Sequence, residues 1–376
     1  MASTSGTKVI QLGGLAGPGA AAGGVWAVAR TQSAALRRAG MRVELIGGWL
    51  GKQPVSSDGT AKLFRVRRPL PGARLRGLVS LQLPRYVASR ARTADVVQVH
   101  LCRDFITTSA TALLRRGKTP VIAQSHGMLA PSAALPVRLF DAVITRWLVR
   151  IPQLWLTLTE AEEDGLQQLG VDRTRMRRVV NASTDTTLRW SDPEQTVFLF
   201  AARLSARKQP AVFVQAALAA LDAGLEARFV LAGPDQGEEA RVRALIEASA
   251  HADRFTLTGE LAPDQLQAAM AGSTAYVLPA LKEPYPMSVL EAAAVGTPLI
   301  ITTDCGLSAD LRAGDAAELA EPSVDAFCEA MRKLAVDPQR RAQLGANARQ
   351  LHRRLWSSER LAESLAAHYA EATNAR

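Results

Sequence analysis

Two glutamates separated by seven residues, Glu283 and Glu291, stand in the run KEPYPMSVLEAAAVGTPLI (282–300). The segment before them, AYVLPA (275–280), is apolar and β-favouring. MSVLEAAAVG (287–296) reads as a helix closed by Gly296, and PLIITT (298–303) as the next strand. Glu283 therefore falls in a loop leaving a strand, and Glu291 in the helix that follows. Loops at the carboxyl ends of parallel strands are where open α/β sheets take ligands, and a carboxylate there can accept two hydrogen bonds from sugar or ribose hydroxyls. A solvated loop acid and a helix-surface acid would show the same spacing, so the neighbouring segments have to decide.

Three of those segments carry chemistry of their own. In AARLSARKQP (201–210), Arg203 and Lys208 follow the first strand of the second half of the chain. Two cations at that position suit a diphosphate, the arginine by forked hydrogen bonds and the lysine as a point charge. In QSHGML (124–129), His126 ends an apolar strand ahead of Gly127, at the place in the sheet that faces the ligand crevice. The glycine-rich run GGLAGPGAAAGG (13–24) reads as the turn from the first strand to the first helix, where backbone N–H groups can approach a phosphate. Gly17, Gly19 and Gly23 only loosely follow a dinucleotide fingerprint: the last gap is one residue too long, and Glu44 lies inside its strand rather than at its tip.

The elements that must hold these residues alternate. Strand-like runs occur at 8–14, 42–48, 63–67, 95–101, 120–126, 154–159 and 177–182, and again at 196–204, 227–234, 254–259, 275–280, 298–303 and 316–321, with helical segments between them. Such alternation builds parallel sheets from βαβ units. Two series meeting near 191–195 predict two doubly wound, Rossmann-like domains facing one cleft. The first covers residues 1–190 and the second 191–355, with a closing helix over 356–376 for which a return to the N-terminal domain is one open path.

Composition narrows the class. A chain of 376 residues with 48% hydrophobic content can fill two cores. Cys102, Cys305 and Cys328 are widely spaced with no CxxC, which suits reduced structural thiols and offers little to zinc. No run of about 18 apolar residues occurs and the first residues hold no secretory apolar core, so the expectation is a cytoplasmic protein. Residues 1–189 carry 27 Lys+Arg against 11 Asp+Glu, whereas the remainder carries 18 against 24. The first half is therefore expected to face something anionic. Aromatic content of 5% and the lack of a recognisable motif speak against single-stranded nucleic acid.

Together these motifs resemble glycosyltransferase family 4, the retaining two-domain GT-B enzymes. The resemblance rests on Gly23-Gly24, SHGML around His126, LTEAEE (158–163), VVNASTD (179–185), Arg203-Leu204 with Lys208, LAGP (231–234), and Glu283 with Glu291 ahead of EAAAVGTPLI. It spans roughly residues 8–350 and is similar to the branch that builds bacterial surface polysaccharides and glycoconjugates. It implies a nucleotide-diphosphate-sugar donor and no other cofactor. Arg203 and Lys208 would hold the diphosphate, Glu291 the ribose, and Glu283 the transferred sugar. N–H groups near Met287 and Ser288 would meet the phosphate, and Gly259 would begin the base-binding loop. His126 would lie near the anomeric centre, and Gly23 and Gly24 would line the cleft. No Asp-x-Asp occurs, so a metal-bridged diphosphate finds no support and the two cations are expected to replace the ion. Ala202, Pro286 and NASTD depart from the usual family residues.

The acceptor implied is a glycan or a lipid-linked molecule. Residues 62–92 carry eight arginines and no acid, interleaved with Leu75, Leu78, Val79, Leu81 and Leu83. Such a segment can lie on an anionic inner-leaflet surface or merely steer a soluble anion. A catalytically silent scaffold and a sugar-nucleotide epimerase on the same fold are the rival readings.

Overall fold

The computed structural model describes residues 6–16, 23–51, 60–68, 77–183 and 186–374. They form two compact units, one of residues 1–181 with 358–376 and the other of residues 182–357.

The first unit is built on a sheet of β1 (Lys8–Ala16), β2 (Arg42–Trp49), β3 (Ala61–Arg65), β4 (Val96–His100), β5 (Val121–Gln124), β6 (Leu154–Thr157) and β7 (Met176–Arg178). All pairings are parallel, in the order β3-β2-β1-β4-β5-β6-β7. The central strands are buried along their whole length, so they read as unbroken apolar runs and not as alternating ones. The order reverses between β1 and β4, which opens the crevice at their carboxyl ends.

β1 runs two residues beyond the expected 8–14, so Leu15 and Ala16 of the run read as a turn belong to the strand. Gly13 and Gly14 belong to the strand, at a register shift between Leu12 and Leu15. A Cβ on Gly13 would come within 2.7 Å of the Trp26 ring, and one on Gly47 within 2.6 Å. These glycines make room for an indole. The helix Gly23–Arg38 starts directly at Gly23-Gly24, while residues 17–22 lie outside the described part.

Four glutamines with no solvent exposure, Gln11, Gln32, Gln98 and Gln124, bond to one another across β1, the helix Gly23–Arg38, β4 and β5. The helix Ser358–Asn374 packs beside them: its Tyr369 hydroxyl donates to Gln98, and Arg177 of β7 pairs with its Glu371. Mutual pairing lets a core hold these amides, although Gln11 Oε1 and Gln124 Nε2 meet no partner among the described residues.

Residues 62–92 differ from the expected docking segment. Leu78 and Leu83 are wholly buried, and Tyr86 and Arg90 both bond to Glu44. Of the interleaved leucines in the described part, only Leu81 stands out in solvent; Leu75 lies outside the described residues. In its described part, Leu78 and Leu83 join the core with Ile10, Leu12 and Ile46, which leaves Leu81 as the exposed leucine beside the half-buried Leu63 and Val79.

The second unit holds β8 (Val197–Ala201), β9 (Arg228–Ala232), β10 (Phe255–Gly259), β11 (Ala275–Leu278), β12 (Leu299–Thr302) and β13 (Glu318–Ala320). Their order is β10-β9-β8-β11-β12-β13, again all parallel, with the reversal between β8 and β11. Phe198, Phe200, Phe213 and Phe229 form a contiguous aromatic cluster with no exposed surface. Each ring contributes roughly 1.5–3 kcal/mol by burial. The chain enters this unit where Ser183 bonds to the carbonyl of Leu290 and to His352.

Candidate functional site

In the second unit, the sequence-predicted residues gather at the switch point. Arg203, Arg207 and Lys208 lie in the loop after β8, and Glu283 in the loop after β11. The two loops meet: Lys208 Nζ is 3.0 Å and Arg207 Nη2 3.2 Å from Glu283 Oε2. Lys208 and Glu283 are both buried, and neither cation meets the carboxylate with the alignment of a proper hydrogen bond. Burial pulls the Lys208 ammonium below its ordinary range, opposed by Glu283 and reinforced by the charges of Arg207 and Arg203. Arg207, which the spacing argument passed over, is therefore part of the cluster. Its signal was present in the run ArgLys at 207–208.

Backbone contacts fix both loops. The Leu281 amide donates to the Arg207 carbonyl at 2.9 Å, the Lys282 amide to Asp304 at 2.9 Å, and the Gly306 amide to the Glu283 carbonyl at 2.9 Å. A Cβ on Gly306 would sit 2.1 Å from the Pro284 carbonyl oxygen. On the other side, the Ala202 amide donates to the Ala232 carbonyl at 3.0 Å and the Gly233 amide to that of Gly259 at 2.8 Å. Gly259 thus ends β10 with φ of 70° and ties the LAGP turn in place.

The helix Met287–Val295 begins behind Pro286 with no capping side chain, so the N–H groups of Met287 and Ser288 open it uncovered. An uncapped N-terminus favours an anion. The Ser288 hydroxyl is 2.7 Å from the Tyr276 hydroxyl, which donates to the Ala201 carbonyl at 3.0 Å. Tyr276 thus locks the helix start to the end of β8, a role that its place in an apolar strand concealed. Glu291 lies one turn into this helix. Burial pushes its carboxyl up to about 7, and no hydrogen bond or ion pair reaches it from the described residues.

The first unit has its own cluster at the ends of β4 and β5. His126 adopts φ of 51° and Gly127 φ of 71°, a left-handed pair that lifts the imidazole off β5. His126 Nε2 is 2.6 Å from Nδ1 of His100, with the rings stacked at 4.9 Å. Burial pulls His126 down to about 3 and His100 well below its ordinary value, so both rings are neutral at physiological pH. Glu162 of the LTEAEE run holds the turn, accepting from the Ser125 hydroxyl at 2.5 Å, the Gly127 amide at 2.9 Å and the Leu158 amide at 2.8 Å. Arg103 forks onto Asp141 at 2.8 Å through two nitrogens and also donates to the Met128 and Leu129 carbonyls. His100, Arg103, Asp141 and Glu162 were not singled out in the sequence. His100 could have been, by the strand-end rule that found His126. Gly24 is exposed at the start of its helix, with nothing within 4 Å of a Cβ built on it.

Two units of this topology, each with its polar residues at the switch point, define a GT-B architecture. The family described as "Glycosyl transferases group 1" matches residues 189–351, and "Glycosyl transferase 4-like domain" matches residues 23–182. The chain belongs to the family 4-like glycosyltransferases of GT-B type. It is 33% identical to a D-inositol 3-phosphate glycosyltransferase of Rhodococcus opacus over 54% of this chain and 47% of that one, so the match spans about half the length of that relative. It is 28% identical to a 2-deoxystreptamine glucosyltransferase of Streptomyces kanamyceticus over 71% of this chain and 78% of that one. Among solved structures, Anabaena HepE in complex with UDP and glucose superposes with a TM-score of 0.74 at 16% identity, covering 97% of this chain and 100% of that one.

Proposed function

We propose that the protein transfers a sugar from a nucleoside-diphosphate donor to an acceptor hydroxyl, with retention of configuration and without a metal ion, in the assembly of a surface polysaccharide or glycoconjugate. The observation that carries this is the convergence of Lys208 and Arg207 on Glu283, next to an uncapped helix start and the unpartnered Glu291. The relatives' names support a glycosyl transfer, and the HepE complex shows that this architecture can hold UDP and glucose in another protein.

In this reading the diphosphate draws Arg203 and Lys208 onto its oxygens, while the N–H groups of Met287 and Ser288 take the distal phosphate. Lys208 then leaves Glu283 free to accept from hydroxyls of the sugar, and Glu291 accepts from the ribose. The bond from the anomeric carbon to the diphosphate oxygen breaks as the acceptor oxygen attacks from the same face. The acceptor's proton passes to the departing diphosphate. Fixed cations stabilise the charge that grows on that leaving group. Neutral His126 offers a hydrogen bond without adding a positive charge beside an oxocarbenium-like centre.

Hydrolysis of a panel of UDP-, GDP-, ADP- and dTDP-sugars, with and without chelator, tests the reading. One donor is expected to turn over slowly in chelator, with Lys208→Ala lowering the rate roughly 100-fold or more and Glu291→Ala weakening donor binding. Loss of turnover in chelator, or Lys208→Ala equal to wild type, overturns it. Equal and poor binding of every donor would favour the silent scaffold.

A further inference from the structure

We infer that the helical segment from Leu135 to Leu148 of the first unit is a docking face for an anionic lipid surface. The segment runs as a helix Leu135–Phe140, a π-helical stretch Asp141–Thr145 and a final turn Arg146–Leu148. Its outer face is unusually apolar for a helix on a protein in water. Asp141 and Thr145 are buried, Asp141 on Arg103, beside the buried Leu148 and the half-buried Val137, Phe140 and Ile144, while four other large apolar side chains are exposed. Leu135 is 74% exposed, Leu139 64%, Val143 67% and Trp147 41%.

These four recur at every fourth position. On an α-helix a spacing of four drifts steadily round the axis, because one turn takes only about 3.6 residues. The π-helical stretch holds more residues per turn and reverses that drift, so the apolar side chains stay on one outer line. Phe105 adds to this face, exposed and packed edge-on against Phe140.

Arginines stand beside the line. Arg138, Arg146 and Arg150 on the segment, and Arg115 and Arg116 next to it, are exposed. Between residues 105 and 158 the only acid is Asp141, already buried in its pair. Arg115 lies 5.6 Å over the Trp147 ring. Two grooves adjoin the segment. One of 540 Å³ is lined by Leu135, Leu139, Arg138 and Arg146, and one of 330 Å³ by Trp147, Arg115 and Arg150. An apolar ridge beside grooves whose linings include arginines matches acyl chains met by the ridge and phosphate headgroups met by the grooves. It presents more exposed apolar side chains than the described part of residues 62–92, where Leu78 and Leu83 are buried and Leu81 is exposed.

The inference does not depend on the sugar-transfer reading, because it is tested by binding alone. The full-length protein is floated with vesicles of phosphatidylcholine and with vesicles containing about one-third phosphatidylglycerol. Wild type is expected to float with the anionic vesicles only, and to be released at about 1 M salt, where the screening length falls to ~3 Å. Leu139→Glu with Val143→Glu changes two exposed positions, so the fold is retained by circular dichroism while vesicle affinity falls by about tenfold or more. Arg138→Glu with Arg146→Glu is expected to fall similarly, and Arg67→Glu with Arg85→Glu much less. The inference is overturned if wild type stays down with anionic vesicles at low salt, or if the Leu139/Val143 variant floats like wild type. It is equally overturned if light scattering shows a dimer that Val143→Glu dissociates, which would make the face a subunit contact.

Discussion

Replacing Glu291 by glutamine is expected to make the ligand-free protein more stable above neutral pH while weakening its hold on a donor. Burial raises the Glu291 carboxyl from 4.5 to about 7 with no partner to offset it. A folded-state value above the unfolded one means that the native state holds the proton longer. Stability associated with this group is then complete below pH 4.5 and is lost as pH rises through 7. The shift sets a ceiling of about 3 kcal/mol at 1.36 kcal/mol per unit. Since the side chain keeps some solvent access, roughly 2 kcal/mol of that is expected between pH 5 and pH 8. Glutamine never ionises and escapes the penalty. Urea denaturation at the two pH values should therefore show Glu291→Gln close to wild type at pH 5 and clearly more stable at pH 8. Calorimetric titration with the donor's free nucleoside diphosphate should show weaker binding by the variant at both. A variant no more stable than wild type at pH 8, or an advantage that grows toward pH 5, would refute the argument that Glu291 is an ionisable group kept without a partner for a ligand.

Gly233→Ala would place a Cβ 2.0 Å from the Ala202 carbonyl at a φ of 140°, so the loop carrying Arg203 must move; a loss of about 3 kcal/mol in urea and of donor hydrolysis is expected. Arg103→Met strands the buried Asp141 carboxylate and two loop carbonyls, and should lower stability by about 3–5 kcal/mol, much of it recovered in Arg103→Met with Asp141→Leu; a double variant no better than the single one counts against the pair. His126 is held neutral with its ionisation near 3, so turnover should show no limb between pH 5 and 8 that His126→Ala removes. A steep limb lost in that variant would contradict its neutrality.

The fold was legible because its signal is repeated. Each buried parallel strand announces itself as a short apolar run such as AYVL or LIIT, and each expected run became a strand with ends shifted by a few residues. In the glycine-rich run at 13–24 the strand extends to Ala16, and the role of its first glycines was not legible for a physical reason. Glycine marks a tight turn and a close approach equally well, and only the position of Trp26 shows that Gly13 and Gly47 are spaces for an indole. The domain edge was placed by composition near 191–195, whereas Ser183 already bonds within the second unit. No local pattern encodes such a tertiary contact.

The candidate site divides along the same line. Residues in the loops at strand ends, His126, Arg203, Lys208 and Glu283, and Glu291 in the helix that follows, come from chain order alone, because the switch-point rule maps sequence position to place. The residues that hold them do not. Glu162 reaches back to Gly127 across 35 positions and Arg103 forward to Asp141 across 38. An acid in a helix or an arginine after a strand has many ordinary explanations until its partner is seen. The pairing of Lys208 with Glu283 belongs to this second kind, and it changes the chemistry expected of both. Lys208 and Glu283 lie 3.0 Å apart in the ligand-free protein, so in the proposed reaction a diphosphate would have to win Lys208 from Glu283 before the glutamate could serve a sugar. Charge exchange of this sort couples recognition of the diphosphate to recognition of the sugar. Neither residue could supply that coupling alone.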